Sequence, residues 1–479
     1  MCSSRGPHER SFGFVTFPVP NLGAASALGS ALRRVGYVED VLDELVDEDA
    51  FGGGSEEVLV AARRLPESPL GTVIRLLFLQ LPVSERDAVA ALGREGMEAL
   101  AATGLAGLGE DVVPHARLVP IGDVLLASDG FTRDADDPPD YVATYTPTGR
   151  TCDLLTPRPR GGRALDVGTG SGIHALLAAQ HSKHVVAVDV NPRALAYTTL
   201  NAALNSFDNV ECRAGSFFEP AAGETFDLIT CNAPFVVSPE SRWAYRDSGL
   251  RGDDVTANVV RDAAAHLAEG GYATLLGSWL VTDEDEPEQR PLAWIGETGC
   301  FGWILSALES DPLEHAASWN ARFFRDTAAY MGVLDEWTGY LDELGARAVA
   351  EGAVLLHRHD ALRATVRVDE IDEDLLEPAG KQIRRAFANR VRLAGHRSDE
   401  LRNVRLKRAM PLRLERALGA RKVELVLAGG TGSILPTAAA AAEIVERLDG
   451  KTTLHRLRAG DDAVSLCREL LELGALGFA

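Results

Sequence analysis

The stretch RALDVGTGSGIHALLAAQHSKHVVAVDVN, residues 163–191, decides the fold of this chain. It contains an apolar run, a glycine-rich turn, a helical segment and a second apolar run that ends on Asp189. Gly168, Gly170 and Gly172 alternate through the turn, so the backbone can approach a ligand without a Cβ atom in the way. Asp189 would lie at the carboxyl end of a strand, where α/β sheets hold ligand-binding side chains. The stretch therefore predicts a strand–turn–helix–strand unit that binds a ligand.

The spacing of the glycines indicates which ligand. A dinucleotide fingerprint needs glycine at 168, 170 and 173, and position 173 is Ile. The pattern is instead D-x-G-x-G-x-G, with Asp166 ahead of the glycines. It resembles the nucleotide loop of class I S-adenosylmethionine (SAM)-dependent methyltransferases. The resemblance implies a Rossmann-like α/β fold with SAM as the cofactor.

Strands and helices alternate on both sides of this unit, which predicts the domain organisation. Their intervals favour right-handed βαβ crossovers and a doubly wound parallel sheet over residues 140–378, with an antiparallel final strand as an option. Helical periodicity and an alternating ribbon at 115–129 predict a winged-helix-like domain over residues 20–130. A similar pattern predicts a second, basic, winged-helix-like domain over residues 380–479. The acidic, proline-containing stretch 134–141 and the residues after it are interpreted as a linker.

Composition narrows the function classes. The chain has 479 residues, of which 46% are hydrophobic and 25% charged, as in a globular protein. The six cysteines form no C-x-x-C pair, so we expect no metal site or disulfide framework. No membrane span or secretory leader is recognisable, which favours a cytoplasmic location.

The charge of the chain is unevenly distributed. The total is −22, but Lys381–Lys422 contains 14 Lys or Arg against three acids, a local +11 that leaves −33 on the remainder. Phosphate backbones favour cationic surfaces, so this one segment can bind a nucleic acid on an otherwise acidic protein. A solvated pair of amphipathic helices is the alternative interpretation.

The resemblance to methyltransferases implies a set of cofactor-binding residues. Asp166 would orient the glycine turn and meet the ammonium group of SAM, and Asp189 would accept both ribose hydroxyls. Ser216 stands where relatives carry an aspartate that contacts the adenine amine, so weaker cofactor binding is expected. The expected cofactor-binding residues are Asp166, Gly168, Thr169, Gly170, Gly172, Asp189, Val190, Asn191, Ser216, Phe217 and Asn232.

A second motif, CNAPF at 231–235, follows the apolar run FDLIT. It resembles the N-P-P-[FY] motif of methyltransferases that modify planar nitrogens, with Ala233 in place of the first proline. A planar nitrogen is a poor nucleophile, and Asn232 Oδ1 and the Ala233 carbonyl can each accept one of its N–H groups. Phe235 would stack on the planar group. The resemblance implies that the catalytic residues are Asn232, Ala233, Pro234 and Phe235.

Together these motifs predict a SAM-dependent N-methyltransferase acting on a macromolecule. RNA, through an exocyclic base amine, is the expected acceptor because of the basic segment. The alternatives are glutamine-amide methylation of a protein such as a release factor, tailoring of a small molecule, and a SAM-binding module without catalysis. The loop 245–254 also resembles a loop of release-factor glutamine methyltransferases, which implies substrate contacts for Tyr245, Arg246 and Asp247.

One repeated motif is interpreted as a structural turn. The letters GTGS recur at 430–433, but no acid precedes them and no strand-terminal aspartate follows. A turn before a helix explains this copy better than a second nucleotide site.

Overall fold

The computed structural model of the chain describes residues 21–46, 55–130, 138–240, 246, 249–283, 286–360, 364–395, 398–416 and 422–479. Its N-terminal region consists of α1 (Leu22–Val35), α2 (Glu39–Leu45), α3 (Ser55–Arg64), α4 (Pro69–Val73), β1 (Val83–Ser84), α5 (Glu85–Ala102), β2 (Ala106–Gly107), β3 (Asp111–Pro114), β4 (Arg117–Ile121) and β5 (Val124–Ser128).

Local sequence signals explain most of these N-terminal elements. Ser84 caps the N-terminus of α5, since its Oγ accepts the Asp87 N–H at 3.1 Å. The helix bends at Gly93, whose φ is 73°. The predicted ribbon is the buried β4–β5 hairpin, closed by a two-residue turn between Ile121 and Val124. The small sheet has the order β1–β3–β2. Assignment of the region as a winged helix stays a prediction.

The central region consists of α6 (Pro147–Leu155), β6 (Arg163–Val167), α7 (Ile173–Ala179), β7 (His184–Asp189), α8 (Pro192–Leu204), β8 (Val210–Ala214), β9 (Phe226–Cys231), α9 (Asp254–His266), β10 (Leu267–Val281), α10 (Gln289–Gly296), β11 (Phe301–Ser310), α11 (Pro312–Asn320), α12 (Thr327–Glu343), β12 (Ala348–His357) and β13 (Val366–Glu370).

These strands form one eight-stranded sheet in the order β13–β11–β12–β10–β9–β6–β7–β8. Every neighbouring pair is parallel except the two pairs made by β12, which is antiparallel to β10 and to β11. The predicted Rossmann-like α/β fold is confirmed. The antiparallel strand lies inside the sheet because β11 and β13 continue beyond it. The sequence interpretation missed β13, whose residues Val366–Glu370 carry more charge than a buried strand usually does.

The C-terminal region consists of α13 (Gly380–Ala394), β14 (Arg405–Arg408), β15 (Leu412–Glu415), β16 (Lys422–Leu427), β17 (Ile434–Ala438), α14 (Ala439–Glu446), β18 (Asp449–Thr453), α15 (Asp461–Glu472) and β19 (Leu476–Phe478). Two three-stranded sheets result, β18–β14–β19 and β15–β16–β17.

Two expectations for the C-terminal region were wrong. The basic segment is not a helix pair, since α13 is followed by strands β14 and β15. The second GTGS motif is the turn between antiparallel strands β16 and β17 and does not precede a helix directly. Its Thr431 is buried, with its N–H donated to Gln382 Oε1 at 2.9 Å, so the motif is explained by packing. Assignment of the region as a winged helix stays a prediction.

The N-terminal region shares a hydrophobic core with α7 and α8 of the central region. Two asparagines of α8 add hydrogen bonds to this interface. Their side-chain amides pair with the β5 backbone in the way that a neighbouring strand would. Asn201 accepts the Ala127 N–H and donates to the Ala127 carbonyl, both at 2.8 Å. Asn205 pairs with Leu125 in the same way, at 2.8 and 2.7 Å. The N-terminal region is therefore fixed to the helix that follows Asp189.

The C-terminal region is joined to the sheet through a buried histidine. His357, 4% exposed, stacks on Tyr272 with 4.4 Å between ring centroids and lies 5.4 Å from the Phe387 ring of α13. Its Nδ1 lies 3.0 Å from the Gly271 carbonyl oxygen. Burial lowers the pKa of His357 from 6.5 to about 4. The imidazole is thus neutral in the folded protein at neutral pH.

This buried histidine predicts a loss of stability in acid. Between pH 6.5 and about 4 the unfolded chain binds a proton at His357 that the folded chain does not, so the free energy of unfolding decreases as the pH falls through this window. The expected loss is on the order of 3 kcal/mol. Urea unfolding at pH 7 and pH 4.5 measures it. His357→Gln should remove this part of the pH dependence, whereas the exposed control His455→Gln should retain it; equal pH dependence in the two variants would contradict the assignment.

Candidate functional site

A cavity of about 810 Å³ opens at the carboxyl ends of β6, β7 and β9, next to the loop after β8. Twelve of the fourteen residues expected from the sequence line it: Gly168, Thr169, Gly170, Asp189, Val190, Asn191, Ser216, Phe217, Asn232, Ala233, Pro234 and Phe235. Asp166 and Gly172 do not line it. The glycine motif, which includes Val167, and the CNAPF motif, which includes Asn232, are 65 positions apart in the sequence at these two residues. Both motifs nevertheless contribute residues to one cavity.

The Asp166 carboxylate lies beneath the cavity floor and is 1% exposed. One oxygen accepts the Thr169 hydroxyl at 2.7 Å and the Ala175 N–H at 3.1 Å, and the other accepts the Thr230 hydroxyl at 2.8 Å. Burial raises the pKa of Asp166, and a nearby His174 and these hydrogen bonds oppose the rise. The arrangement fits the expected role of orienting the turn. Contact of Asp166 with a ligand's ammonium group stays a prediction.

The glycines of the turn serve two different needs. All have positive φ, of 67° at Gly168, 55° at Gly170 and 92° at Gly172. A Cβ atom at Gly168 would lie 2.9 Å from the Ala233 Cβ, and one at Gly172 would lie 2.9 Å from Thr198. A Cβ atom at Gly170 would meet no protein atom within 4 Å, so this position leaves open space in the cavity wall. The first and third glycines permit packing, and the second leaves room for a ligand.

Asp189 projects into the cavity with both carboxylate oxygens held in place. One oxygen accepts the Gly170 N–H at 2.9 Å, and the other accepts the Asn191 N–H at 2.8 Å. Burial raises the pKa of Asp189, while these backbone donors oppose the rise. A carboxylate fixed in this way can accept two neighbouring hydroxyl groups of a ligand. Asp189 thus fits the ribose-binding role that the sequence implies.

The loop after β8 forms the next part of the wall. Phe217 has a positive φ of 45°, an uncommon backbone conformation for a bulky residue. Such conformations cost free energy and occur most often at functional sites. Both Ser216 and Phe217 line the cavity, and the Ser216 carbonyl accepts the Glu219 N–H at 3.0 Å, which closes the turn. The loop offers a hydroxyl and a ring to a planar ligand group.

The Asn232–Phe235 loop forms the opposite wall. Among the described residues, the Asn232 side-chain amide has no hydrogen-bond partner, although the side chain is partly buried and lines the cavity. Phe235 is 8% exposed and belongs largely to a hydrophobic core. Its carbonyl accepts the Ser278 hydroxyl at 2.5 Å, which fixes the end of the loop on β10. Stacking of Phe235 on an acceptor stays a prediction, since most of the ring is committed to packing.

The sequence analysis missed the segment 138–149, interpreted as part of a linker. Most of it lines the cavity, and α6 begins within it, capped where Thr146 Oγ1 accepts the Gly149 N–H at 3.0 Å. The two tyrosines of the segment, Tyr141 and Tyr145, could have revealed it, because aromatic residues are unusual in a solvated linker. We call residues 138–149 the cap segment.

Asp129, at the end of the β4–β5 hairpin, connects the N-terminal region to the cap segment. Its carboxylate accepts the Val142 N–H at 2.9 Å and the Tyr197 hydroxyl at 2.7 Å. It also forms an ion pair with Arg193 at 2.5 Å. The neighbouring Asn191 donates its side-chain N–H to the Asp140 carbonyl at 2.9 Å. The position of the cap segment therefore depends on contacts made by both the N-terminal region and α8.

Among the described residues, two buried polar atoms of cavity-lining side chains have no hydrogen-bond partner. His174 is 7% exposed, and its Nε2 atom is buried without a hydrogen bond; the same holds for the hydroxyl of Thr144 in the cap segment. Both residues line the cavity. Buried polar atoms are nearly always paired, so these two atoms are candidates for contact with a polar ligand group. Neither residue was expected from the sequence, because a lone His on a helix is usually a packing residue.

The fourth side of the cavity comes from the helical pair α11–α12. Trp319 of α11 lines the cavity and donates its indole N–H to Glu351 at 3.0 Å. Arg246, 2% exposed, also lines it; the guanidinium pairs with Glu240 at 2.9 Å and lies 5.0 Å from the Trp337 ring centroid. Tyr245 and Asp247, for which the sequence implied substrate contacts, lie outside the described residues. This side lines the same cavity as the Asn232 loop.

Two classes of site find no support in the part of the chain that the structure describes. No group of three or more His, Cys, Asp and Glu side chains there could hold a metal ion. None of the described helices combines the length and the apolar character needed to cross a membrane.

Comparison with known proteins bears out the resemblance over the central region. Residues 152–284 match the family model of the methyltransferase small domain, and residues 34–116 match a domain of unknown function (DUF7059). The first match covers the glycine turn and the Asn232 loop, so the predicted resemblance to methyltransferases is confirmed for this segment.

Several curated methyltransferases are similar to part of the chain. The ribosomal protein uL3 glutamine methyltransferase of Xanthomonas campestris is 33% identical over 154 residues, 30% of this chain and 47% of that protein. The release factor glutamine methyltransferase of Aliivibrio fischeri is 33% identical over 33% of this chain and 57% of that protein. The ribosomal RNA small subunit methyltransferase C of Alcanivorax borkumensis is 28% identical over 26% of this chain and 34% of that protein. The chain spans about half the length of the first curated relatives it matches.

A solved structure, Trm5b from Pyrococcus abyssi, covers 53% of this chain and 62% of its own, at 15% identity and a TM-score of 0.32. A likeness at this level carries no argument about function.

Proposed function

We propose that this chain is a SAM-dependent N-methyltransferase that methylates a planar nitrogen on a macromolecule. The observation that carries the proposal is the Asn232 amide, which has no hydrogen-bond partner among the described residues and shares one cavity with the fixed Asp189 carboxylate. The first group suits an acceptor nitrogen and the second a nucleoside. The similarity of residues 152–284 to the methyltransferase small domain supports the same conclusion.

The cavity residues fit SAM from one end to the other. Asp189 accepts hydrogen bonds from the ribose hydroxyls of SAM, and the open space at Gly170 accommodates the part of SAM that passes the glycine turn. Ser216 and Phe217 contact the adenine. The partnerless His174 Nε2 and Thr144 hydroxyl hold the amino-acid end of the cofactor. When bound, SAM supplies an electrophilic methyl group on a positively charged sulfur.

The protein's contribution to methyl transfer is to position the acceptor. Asn232 Oδ1 and the Ala233 carbonyl each accept one N–H of the acceptor, which aims the nitrogen lone pair at the methyl group. Both oxygens stabilise the positive charge that develops on the nitrogen. The N–H group of the acceptor becomes acidic only as the bond from its nitrogen to the methyl carbon forms. Its proton can therefore leave to water without a strong base. The Gly168–Ala233 contact holds the two loops at a fixed separation during this step.

Two acceptor classes fit this chemistry. An exocyclic base amine of RNA is favoured by the cationic segment of the C-terminal region. A glutamine amide of a protein is favoured by the relatives with 33–35% identity that are named as glutamine methyltransferases. Small-molecule tailoring is disfavoured by the two large flanking regions. A SAM-binding module without catalysis would have no need of the Asn232 loop. The proposal includes a cytoplasmic location, where ribosomal RNA and translation proteins are available as acceptors.

Replacement of the ribose-binding carboxylate tests the cofactor. Asp189→Ala removes the acceptor for both ribose hydroxyls and should abolish SAM binding in isothermal titration calorimetry. Asp208→Ala, an exposed aspartate just before β8, is the matched control and should bind SAM as the unaltered chain does. Unchanged affinity in the Asp189 variant would overturn the assignment of the cofactor site.

The amino-acid end of the cofactor can be tested separately. His174→Leu and Thr144→Val should each weaken S-adenosylhomocysteine about tenfold, because one hydrogen bond to a charged group is lost. Binding of 5′-methylthioadenosine, which lacks the amino acid, should stay the same. Calorimetry with both ligands measures the difference. Equal losses for the two ligands would mean that these residues only support the cavity wall.

Catalysis by the acceptor loop is tested with Asn232→Ala. The variant should retain SAM binding and lose methyl transfer by about 10² or more, the magnitude found when a preorganised oxyanion donor is removed. Transfer of tritiated methyl from SAM into a cell extract, separated into RNA, protein and small-molecule fractions, measures the rate and identifies the acceptor class. A variant as fast as the unaltered chain would show that CNAPF is only a turn.

A further inference from the structure

A second cavity, of about 500 Å³, lies between α13 and the β14–β19 pair of the C-terminal region. Its cations are Arg385, Arg392 and Lys407, and no acidic side chain lines it within the part of the chain that the structure describes. Arg385 and Arg392 are seven residues apart on α13, so they occupy one face of the helix, two turns apart. Lys407 lies opposite Gly477 in the β14–β19 pairing. We call this feature the C-terminal basic groove.

The arginines of the groove are held by the fold. Arg385 donates its Nε–H to the Gly474 carbonyl at 2.6 Å. The Arg392 guanidinium lies 4.0 Å from the centroid of the Phe478 ring. Asn389, between them on the same face, is fixed by the Leu471 and Leu476 carbonyls at 2.8 and 2.9 Å. Oriented guanidinium groups lose little freedom when they bind an anion, so the groove is preorganised for phosphate or carboxylate.

The charge around the groove extends beyond its lining. Lys381 and Arg384 are exposed on α13, and Arg405 and Arg408 are exposed on β14. The rest of the chain outside 381–422 carries −33. The acidic remainder of the chain repels polyanions, so a polyanion is directed to this basic surface.

We propose that the C-terminal basic groove binds the phosphodiester backbone of single-stranded RNA. Arginine forks match phosphate oxygens, and a cation beside a partly buried aromatic ring, as Arg392 lies beside Phe478, is a combination that receives unpaired nucleotides. A single strand is required because an exocyclic amine in a duplex is occupied by base pairing and cannot reach Asn232. The methylation of that RNA rests on the proposed function, whereas its binding in the groove does not.

Fluorescence anisotropy with the full chain and a labelled single-stranded RNA of about 12 nucleotides tests the proposal. The double variant Arg392→Gln/Lys407→Gln should bind at least tenfold more weakly. The slope of log affinity against log salt should become shallower by about 1.4, since two phosphate contacts of about 0.7 each are lost. The control Arg86→Gln/Arg94→Gln makes the same change in net charge on exposed positions of α5 and should bind RNA normally.

Calorimetry with SAM on the same variants separates the two proposals. Retained SAM affinity shows that the groove variant is folded, so a loss of RNA binding then belongs to the groove. Equal RNA affinity in groove and control variants, or equally tight binding of duplex RNA or of an acidic peptide, would overturn the proposal. If RNA binds as expected while Asp189→Ala leaves SAM binding unchanged, the assignment of the cofactor site is overturned. The proposal that the groove binds RNA is then still supported.

Discussion

The Asp166 carboxylate is the interaction on which the rest of the site depends. Fully buried, it accepts hydrogen bonds from the glycine turn, from α7 and from Thr230 near the end of β9. Two residues after Thr230 the chain reaches Asn232. One carboxylate thus fixes both the loop that suits the cofactor and the loop that suits the acceptor. Burial of this charge costs free energy that its three hydrogen bonds offset, which explains why the position needs an acid short enough to lie beneath the turn.

Features of the site that arise from neighbouring residues could be predicted from the sequence. The alternating glycines, the strand-terminal Asp189 and the turn at Asn232 each follow from backbone geometry within a few residues. Their meeting at one cavity follows from the strand order, because parallel strands bring their carboxyl ends to one edge of the sheet. The Rossmann-like sheet was predicted for the same reason: its strands are continuous apolar runs with helices between them.

What the sequence did not reveal depends on contacts between distant parts of the chain. The cap segment has the composition of a linker, and it becomes a wall only because Asp129 and Asn191 hold it. His174 becomes a candidate site residue only from the structure, in which its Nε2 atom is buried and has no hydrogen-bond partner among the described residues. Strand β13 is paired to β11 despite its charges, since an edge strand needs fewer apolar residues than a central one. Apart from Tyr141 and Tyr145 of the cap segment, no local pattern distinguishes these residues from ordinary surface or packing positions.

The two flanking regions contribute to the site in different ways. The N-terminal region shares its core with α7 and α8 and holds the cap segment, so it acts on the cofactor side of the cavity. The C-terminal region shares a core with β11, β12 and α6 and carries the exposed cations. The central residues 152–284 are similar to methyltransferases with either protein or RNA in their names, which follows if the Asn232 loop recognises only the nitrogen and its plane. Under the proposed function, selection between macromolecules comes from surfaces outside the shared cavity, and the groove beside α13 has the charge for that selection.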